Sequence, residues 1–107
     1  MGQVGLTPSV LVVDDESLVR FLVCDVLKDS YTVITAENGE EGLAKFVADA
    51  GNGTHIGAVV TDVLMPKMNG VAMYRGMREY RNVPVLFMSG YAGEDNEALT
   101  QVLGGKQ

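Results

Sequence analysis

Polar residues stand at the ends of three apolar runs. Asp14 and Asp15 follow Val10-Leu11-Val12-Val13, Asp62 closes Ala58-Val59-Val60-Thr61, and Ser89 follows Val85-Leu86-Phe87-Met88. A short continuous run of β-branched and aliphatic residues suits a parallel strand covered on both faces. In open parallel sheets the functional crevice lies outside the carboxyl ends of the strands. The three acids and the hydroxyl are therefore expected at one sheet edge. Clustered carboxylates repel each other, and this raises their pKa values unless a cation is present. A hard divalent ion with oxygen ligands resolves the conflict. Mg2+ takes one or two carboxylates and keeps room for phosphate oxygens and water. Each acid alone reads more readily as a helix cap or a turn residue; the conjunction with Ser89 at predicted strand ends favours a site.

The remaining chain has to bring these ends together. Residues 1–8, with two glycines and a proline, read as a flexible lead-in, and residues 9–107 as a single domain. From Asp15 to Asp29 the period changes to helical. Val19, Leu22, Val23, Val26 and Leu27 share one face, Asp15 is the expected N-cap, and Glu16 falls in the first turn. Tyr31 to Ala36 mixes threonine with apolar residues and suits an edge strand. Asn38-Gly39 opens a second helix with an inward stripe of Leu43, Phe46, Val47 and Ala50, and Gly51-Asn52-Gly53 ends it. Gly57 to Asp62 is a strand. Asn69 caps a third helix whose face includes Val71, Tyr74 and Met77. Val83 to Met88 reads as another buried strand with Pro84 near its start, where proline is tolerated. A fourth helix is expected from about Glu94, with Leu99, Val102 and Leu103 inward. Strands alternating with helices imply right-handed βαβ units and a parallel sheet, an α/β architecture.

Composition narrows the function classes. The chain has 107 residues, a net charge of −6 and no basic patch, which argues against nucleic acid or an anionic membrane as partner. No apolar run approaches the roughly 20 residues that span a bilayer. The N-terminus has no cationic segment followed by an apolar one, so no signal peptide is expected. Cys24 is the lone cysteine, lies in an apolar periodic stretch and suits a reducing cytoplasm. His55, the only histidine, sits in a polar glycine-rich loop and reads as a surface residue.

Three stretches together resemble the receiver domains of bacterial two-component response regulators. Val10-Leu11-Val12-Val13-Asp14-Asp15-Glu16 is similar to the family's first strand and acidic pair. Thr61-Asp62-Val63-Leu64-Met65-Pro66-Lys67-Met68-Asn69-Gly70 resembles its phosphorylation loop. Phe87-Met88-Ser89-Gly90-Tyr91-Ala92 resembles its fourth strand and switch hydroxyl, in a wording similar to receivers attached to hybrid sensor kinases. The resemblance spans about residues 9–103. It implies a flavodoxin-like doubly wound parallel sheet and a role residue by residue. Asp62 would accept a phosphoryl group. Asp15 would bind Mg2+ directly, Asp14 largely through water, and Leu64 through its backbone carbonyl. Ser89 would bond a phosphoryl oxygen after transfer. The donor would be a phosphohistidine on a sensor histidine kinase or a phosphotransfer protein. Phosphoryl transfer needs mainly positioning and neutralisation of the equatorial oxygens, which this set is suited to provide.

The sequence departs from the family pattern at its end. The pattern continues with a fifth strand, a Lys-Pro and a fifth helix, whereas here Leu103 is followed by Gly104-Gly105-Lys106-Gln107. The expectation is a sheet of order 2-1-3-4 without the fifth strand and fifth helix, with Lys106 as a weak stand-in for the usual lysine. Lys67 is expected to be solvated. Met73, Met77 and Tyr80 read as core or helix-face residues. An uncovered fourth strand is a template for another chain, so a homo-oligomer through the fourth-strand and fourth-helix region is expected. Two other functions stand beside the phosphoacceptor. One is a receiver-like module that takes no phosphoryl group and acts only in protein–protein association. The other is a haloacid-dehalogenase-like phosphatase, disfavoured because Leu64 stands where a second aspartate is expected. A dinucleotide-binding domain is disfavoured because no Gly-x-Gly-x-x-Gly follows the first strand.

Overall fold

Among the described residues four strands pair in parallel to build one sheet, with the second strand in sequence at one edge, followed by the first, the third and the fourth. The computed structural model describes residues 9–49 and 55–88. Within them run β1 (Ser9–Val13), α1 (Ser17–Leu27), β2 (Thr32–Ala36), α2 (Gly39–Asp49), β3 (Ile56–Asp62), α3 (Gly70–Arg78) and β4 (Val85–Met88). The expected loop from Ser89, the fourth helix and Lys106 lie outside the described residues, as does Ala50.

β1 is buried along its whole length, as its unbroken apolar run requires. Leu11 and Val13 join Val59 of β3, Phe46 of α2, and Met73 and Met77 of α3 in one hydrophobic cluster. Burying each such large side chain contributes about 1.5–3 kcal/mol before entropy is charged against it. β2 occupies the expected edge. α1 lies against the other sheet face, where Leu27 meets Val10, Ala58 and Val60 around one apolar groove.

Helix starts follow local hydrogen-bond chemistry. Asn38 Oδ1 accepts the Glu41 N–H at 2.9 Å, and Glu41 Oε1 accepts the Glu37 N–H at 2.9 Å. That bond and the Lys45 ammonium hold the Glu41 carboxyl below the usual carboxylate range. Asn69 caps α3 as expected, its Oδ1 accepting the Ala72 N–H at 2.8 Å.

α1 departs from expectation in two ways. Asp15 is not its N-cap: Glu16 occupies that place in an extended conformation, without a side-chain cap bond, and the first turn holds no acid. Asp14, not Asp15, bonds the chain entering the helix: its Oδ1 accepts the Glu16 N–H at 2.9 Å. Second, no α1 residue is fully buried. Leu22 and Val26 of the expected inward stripe are 52% and 77% exposed, and Leu18 and Phe21 are exposed beside them. Periodicity identified the apolar stripe; how far it is covered depends on what packs over the sheet face.

At the strand end remote from the acids, Asp49 is 3% exposed. Its Oδ2 accepts the Ile56 N–H at 2.9 Å and an Arg81 N–H at 3.2 Å. Arg81 also donates to the Ile56 carbonyl at 2.9 Å and lies 4.4 Å from the Phe46 ring centroid. This clamp joins the end of α2 and the start of β3 to the segment after α3. Tyr80 is exposed, whereas Met73 and Met77 are completely buried. On α3 the expected face shifts accordingly: Met73 and Met77 are inside, while Val71 and Tyr74 are half-buried.

Candidate functional site

The sheet register brings the acids together. β1 and β3 are direct neighbours, with Val13 paired to Thr61, so the next residues, Asp14 and Asp62, leave adjacent strand ends side by side. Ligand oxygens of Asp14, Asp15 and Asp62 all lie within 4.8 Å of one another. This is the carboxyl edge of a parallel sheet, where β1 and β3 separate toward opposite neighbours.

Asp14 is 2% exposed and held on three sides. Its N–H donates to the Ala36 carbonyl at 3.1 Å. Its Oδ1 takes the Glu16 N–H, and its carbonyl accepts an Arg20 N–H at 2.7 Å. Asp15 is exposed and Asp62 half-buried. Asp62 Oδ1 accepts the Val63 N–H at 2.8 Å. Burial pushes the Asp62 carboxyl above its ordinary value; the Val63 N–H opposes this, and the nearby Asp14, Asp15 and Glu16 charges add to the rise.

The loop behind Asp62 is pinned by main-chain bonds. The Gly70 N–H donates to the Val63 carbonyl at 2.8 Å, and the Gly39 N–H to the Met68 carbonyl at 3.1 Å. Lys67 takes a positive φ of 69° in the loop and is exposed, as expected. A Cβ on Gly39 would overlap Met68, and one on Gly70 would overlap the Asp62 carbonyl, so both positions require the bare Cα. His55 is exposed, and its carbonyl accepts the Ser9 N–H at 3.2 Å. The half-buried Cys24 is a free thiol whose pKa burial pushes up.

The donor set fits a hard divalent cation. It is all oxygen, and three carboxyl groups converge with burial on one side and access on the other. Among the described residues no Lys or Arg forms an ion pair with any of the three. Arg20 reaches the Asp14 carbonyl and Glu37, not the acidic cluster's carboxylates. The acidic triad is thus suited to a metal. Leu64 is 46% exposed in the adjoining loop, and Ser89 lies outside the described residues. The contact of Gly70 with the Asp62 carbonyl was not legible in the sequence as a site feature; its place in the motif was the signal available.

Known proteins share this fold. The response regulator receiver domain family matches residues 10–104. The chain is 32% identical over 89 residues to the uncharacterized transcriptional regulatory protein YcbL of Bacillus subtilis, covering 83% of this chain and 37% of that one. It spans about a third of the length of the curated relatives it matches first. The Vibrio cholerae chemotaxis protein CheY4 superposes with a TM-score of 0.75 at 29% identity, over 92% of this chain and 81% of that one. A chain in the CheX–CheY–BeF3–Mg2+ complex from Borrelia burgdorferi gives a TM-score of 0.73 at 29% identity, over 92% and 75%. With the family pattern running from β1 through β4 and the acids gathered at the sheet's carboxyl edge, the chain belongs to the response regulator receiver domain family of two-component signalling.

Proposed function

We propose that this receiver takes a phosphoryl group onto Asp62 from a phosphohistidine on a sensor histidine kinase or a phosphotransfer protein. The observation that carries the reading is the convergence of Asp14, Asp15 and Asp62 within 4.8 Å at the β1 and β3 ends. Asp15, Asp62 and the Leu64 carbonyl would hold Mg2+, with Asp14 acting largely through water. When bound, the ion would neutralise charge on the transferring oxygens. An Asp62 carboxylate oxygen forms the new bond to phosphorus as the donor's P–N bond breaks, and the histidine nitrogen keeps that electron pair. Val63 holds Oδ1 through its N–H, which orients the carboxylate before a donor arrives. The Ser89 hydroxyl would bond a phosphoryl oxygen after transfer, and Lys106 is the weak candidate for the phosphate-binding cation. The reading places the chain in the cytoplasm, where phosphohistidine donors face it; no helix among the described residues is long and apolar enough to cross a membrane.

A second copy of the chain is the proposed association partner. Leu86 on β4 is 64% exposed. It borders an apolar groove of about 370 Å³ shared with Leu22, Val26, Val60 and Met88. This uncharged surface can meet its twofold copy without opposing like charges, which the rest of a chain carrying −6 cannot do as readily.

The test is incubation with acetyl phosphate and Mg2+, followed by intact mass for wild type and Asp62→Asn. One base-labile phosphoryl adduct on wild type alone is expected. No adduct at any donor concentration favours the association-only module instead.

A further inference from the structure

Thr61 is fully buried, yet its side chain is polar. Its hydroxyl donates to the carbonyl of Asp62 at 2.9 Å. That carbonyl belongs to the peptide unit joining Asp62 to Val63, which is planar, with its C=O and N–H pointing in opposite directions. The N–H of the same unit donates to Asp62 Oδ1 at 2.8 Å. Holding the carbonyl therefore holds the N–H, and holding the N–H fixes the rotation of the carboxylate. Gly70 walls the arrangement: a Cβ there would overlap the Asp62 carbonyl and come within 3.3 Å of the Thr61 hydroxyl. Packing alone does not call for a hydroxyl at this place, because valine has nearly the same shape and adds no polar group to bury.

We propose that Thr61 is a positioning residue, whose buried hydroxyl locks the Asp62–Val63 peptide plane and through it aims the Asp62 carboxylate. Oδ1 is committed to the Val63 N–H, so Oδ2 is the oxygen without that bond. Freed of the hydroxyl, the peptide unit rocks and the carboxylate samples orientations that do not meet a donor in line. The inference rests on Asp62 being the acceptor, but the hydrogen-bond relay exists whatever chemistry Asp62 performs.

The experiment compares wild type, Thr61→Val and Thr61→Ser with two readouts. The first is the rate of adduct formation from acetyl phosphate at saturating Mg2+. The second is hydrogen exchange of the Val63 amide, measured by NMR without metal or donor. Thr61→Val is expected to slow adduct formation about tenfold and to speed Val63 exchange by a similar factor. Thr61→Ser keeps the hydroxyl and is expected to stay within about twofold of wild type in both. Thr61→Ala removes the hydroxyl without adding a methyl group and gives the same two readings should valine disturb the fold. Val63 exchange in Thr61→Val equal to wild type overturns the proposal. So does a normal adduct rate in that variant. A wild type that forms no adduct ends the acceptor reading of Asp62, and the amide readout then decides the relay by itself.

Discussion

Gly70 stands with its bare Cα against the carbonyl of Asp62, so that any Cβ at that position would overlap the carbonyl oxygen. Its N–H meanwhile donates to the Val63 carbonyl. The start of α3 is thereby seated directly on the backbone that carries Asp62. Gly70→Ala is expected to destabilise the fold by about 1–3 kcal/mol, the usual cost of forced repacking. It should also slow adduct formation more than its effect on the urea midpoint accounts for. A variant with wild-type midpoint and rate would show that the loop yields freely.

Charge at Asp62 opposes folding when no cation is bound. Its folded-state pKa lies above the ordinary value, chiefly through burial, so the folded state binds the extra proton across that window. Stability therefore falls as pH rises from the ordinary carboxylate value through the raised one, and the penalty is complete above it. Asp62→Asn removes the ionisation. Its thermal midpoint is expected to exceed that of wild type at neutral pH without divalent ions, and the gap should close in acid. A lower midpoint at neutral pH would contradict this sign.

Adding Mg2+ should reverse the penalty. A ligand that binds only the folded state at 100 times its dissociation constant stabilises it by about 2.7 kcal/mol. The wild-type thermal midpoint is expected to climb with Mg2+ and return on chelation. Asp15→Asn and Asp62→Asn should each flatten that response, because each removes one of three convergent carboxylates. Calorimetric titration checks the same loss directly.

The Asp49–Arg81 clamp lies at the opposite strand end, so its loss should separate stability from chemistry. Removing a buried carboxylate strands its donors, and breaking such a pair costs a few kcal/mol. Arg81 is 29% exposed, which lets water take part of the load. Asp49→Ala is expected to cost about 2–3 kcal/mol in chemical unfolding. Under conditions where the variant remains folded, its adduct rate at Asp62 should match that of wild type.

Association through the β4 groove predicts a mass that grows with concentration in sedimentation equilibrium. Leu86→Glu places a charge in the apolar groove and should leave a folded monomer, because Leu86 is already 64% exposed. A wild type that stays monomeric at tens of micromolar, with cooperative unfolding, removes the second copy as partner.

Much of this fold could be read from local chemistry. Val10–Val13 announces a buried parallel strand, whereas Val60 of β3 is half-buried and Leu86 of β4 exposed, so those runs are covered on one face only. Asn38 and Asn69 cap the helices they precede. Met73 and Met77 enter the core as their type suggests. Asp15 misled as a cap because a single acid before a helix has two equally local uses. The structure decides between them by the backbone: Glu16 is extended and starts the helix one residue later, which leaves Asp15 with the acidic cluster. The exposure of Leu22 and Val26 was also hidden, because periodicity reports that a stripe is apolar and says nothing of what covers it. Asp49 was hidden for a related reason: its partner Arg81 is distant in sequence.

By itself, the sequence determined which residues could do chemistry and on which elements they ride. Apolar runs ending in acids specify strands with carboxylates at one edge, and the span from Thr61 to Gly70 carries the family pattern. Only the tertiary structure decided how those carboxylates meet. Pairing Val13 with Thr61 sets Asp14 beside Asp62, and that register is a property of two strands separated by a whole βαβ crossover. The aim of Asp62 was decided there too. A buried hydroxyl and a planar peptide act on it locally, and the missing Cβ of Gly70 lets α3 close against both once β3 and α3 are packed.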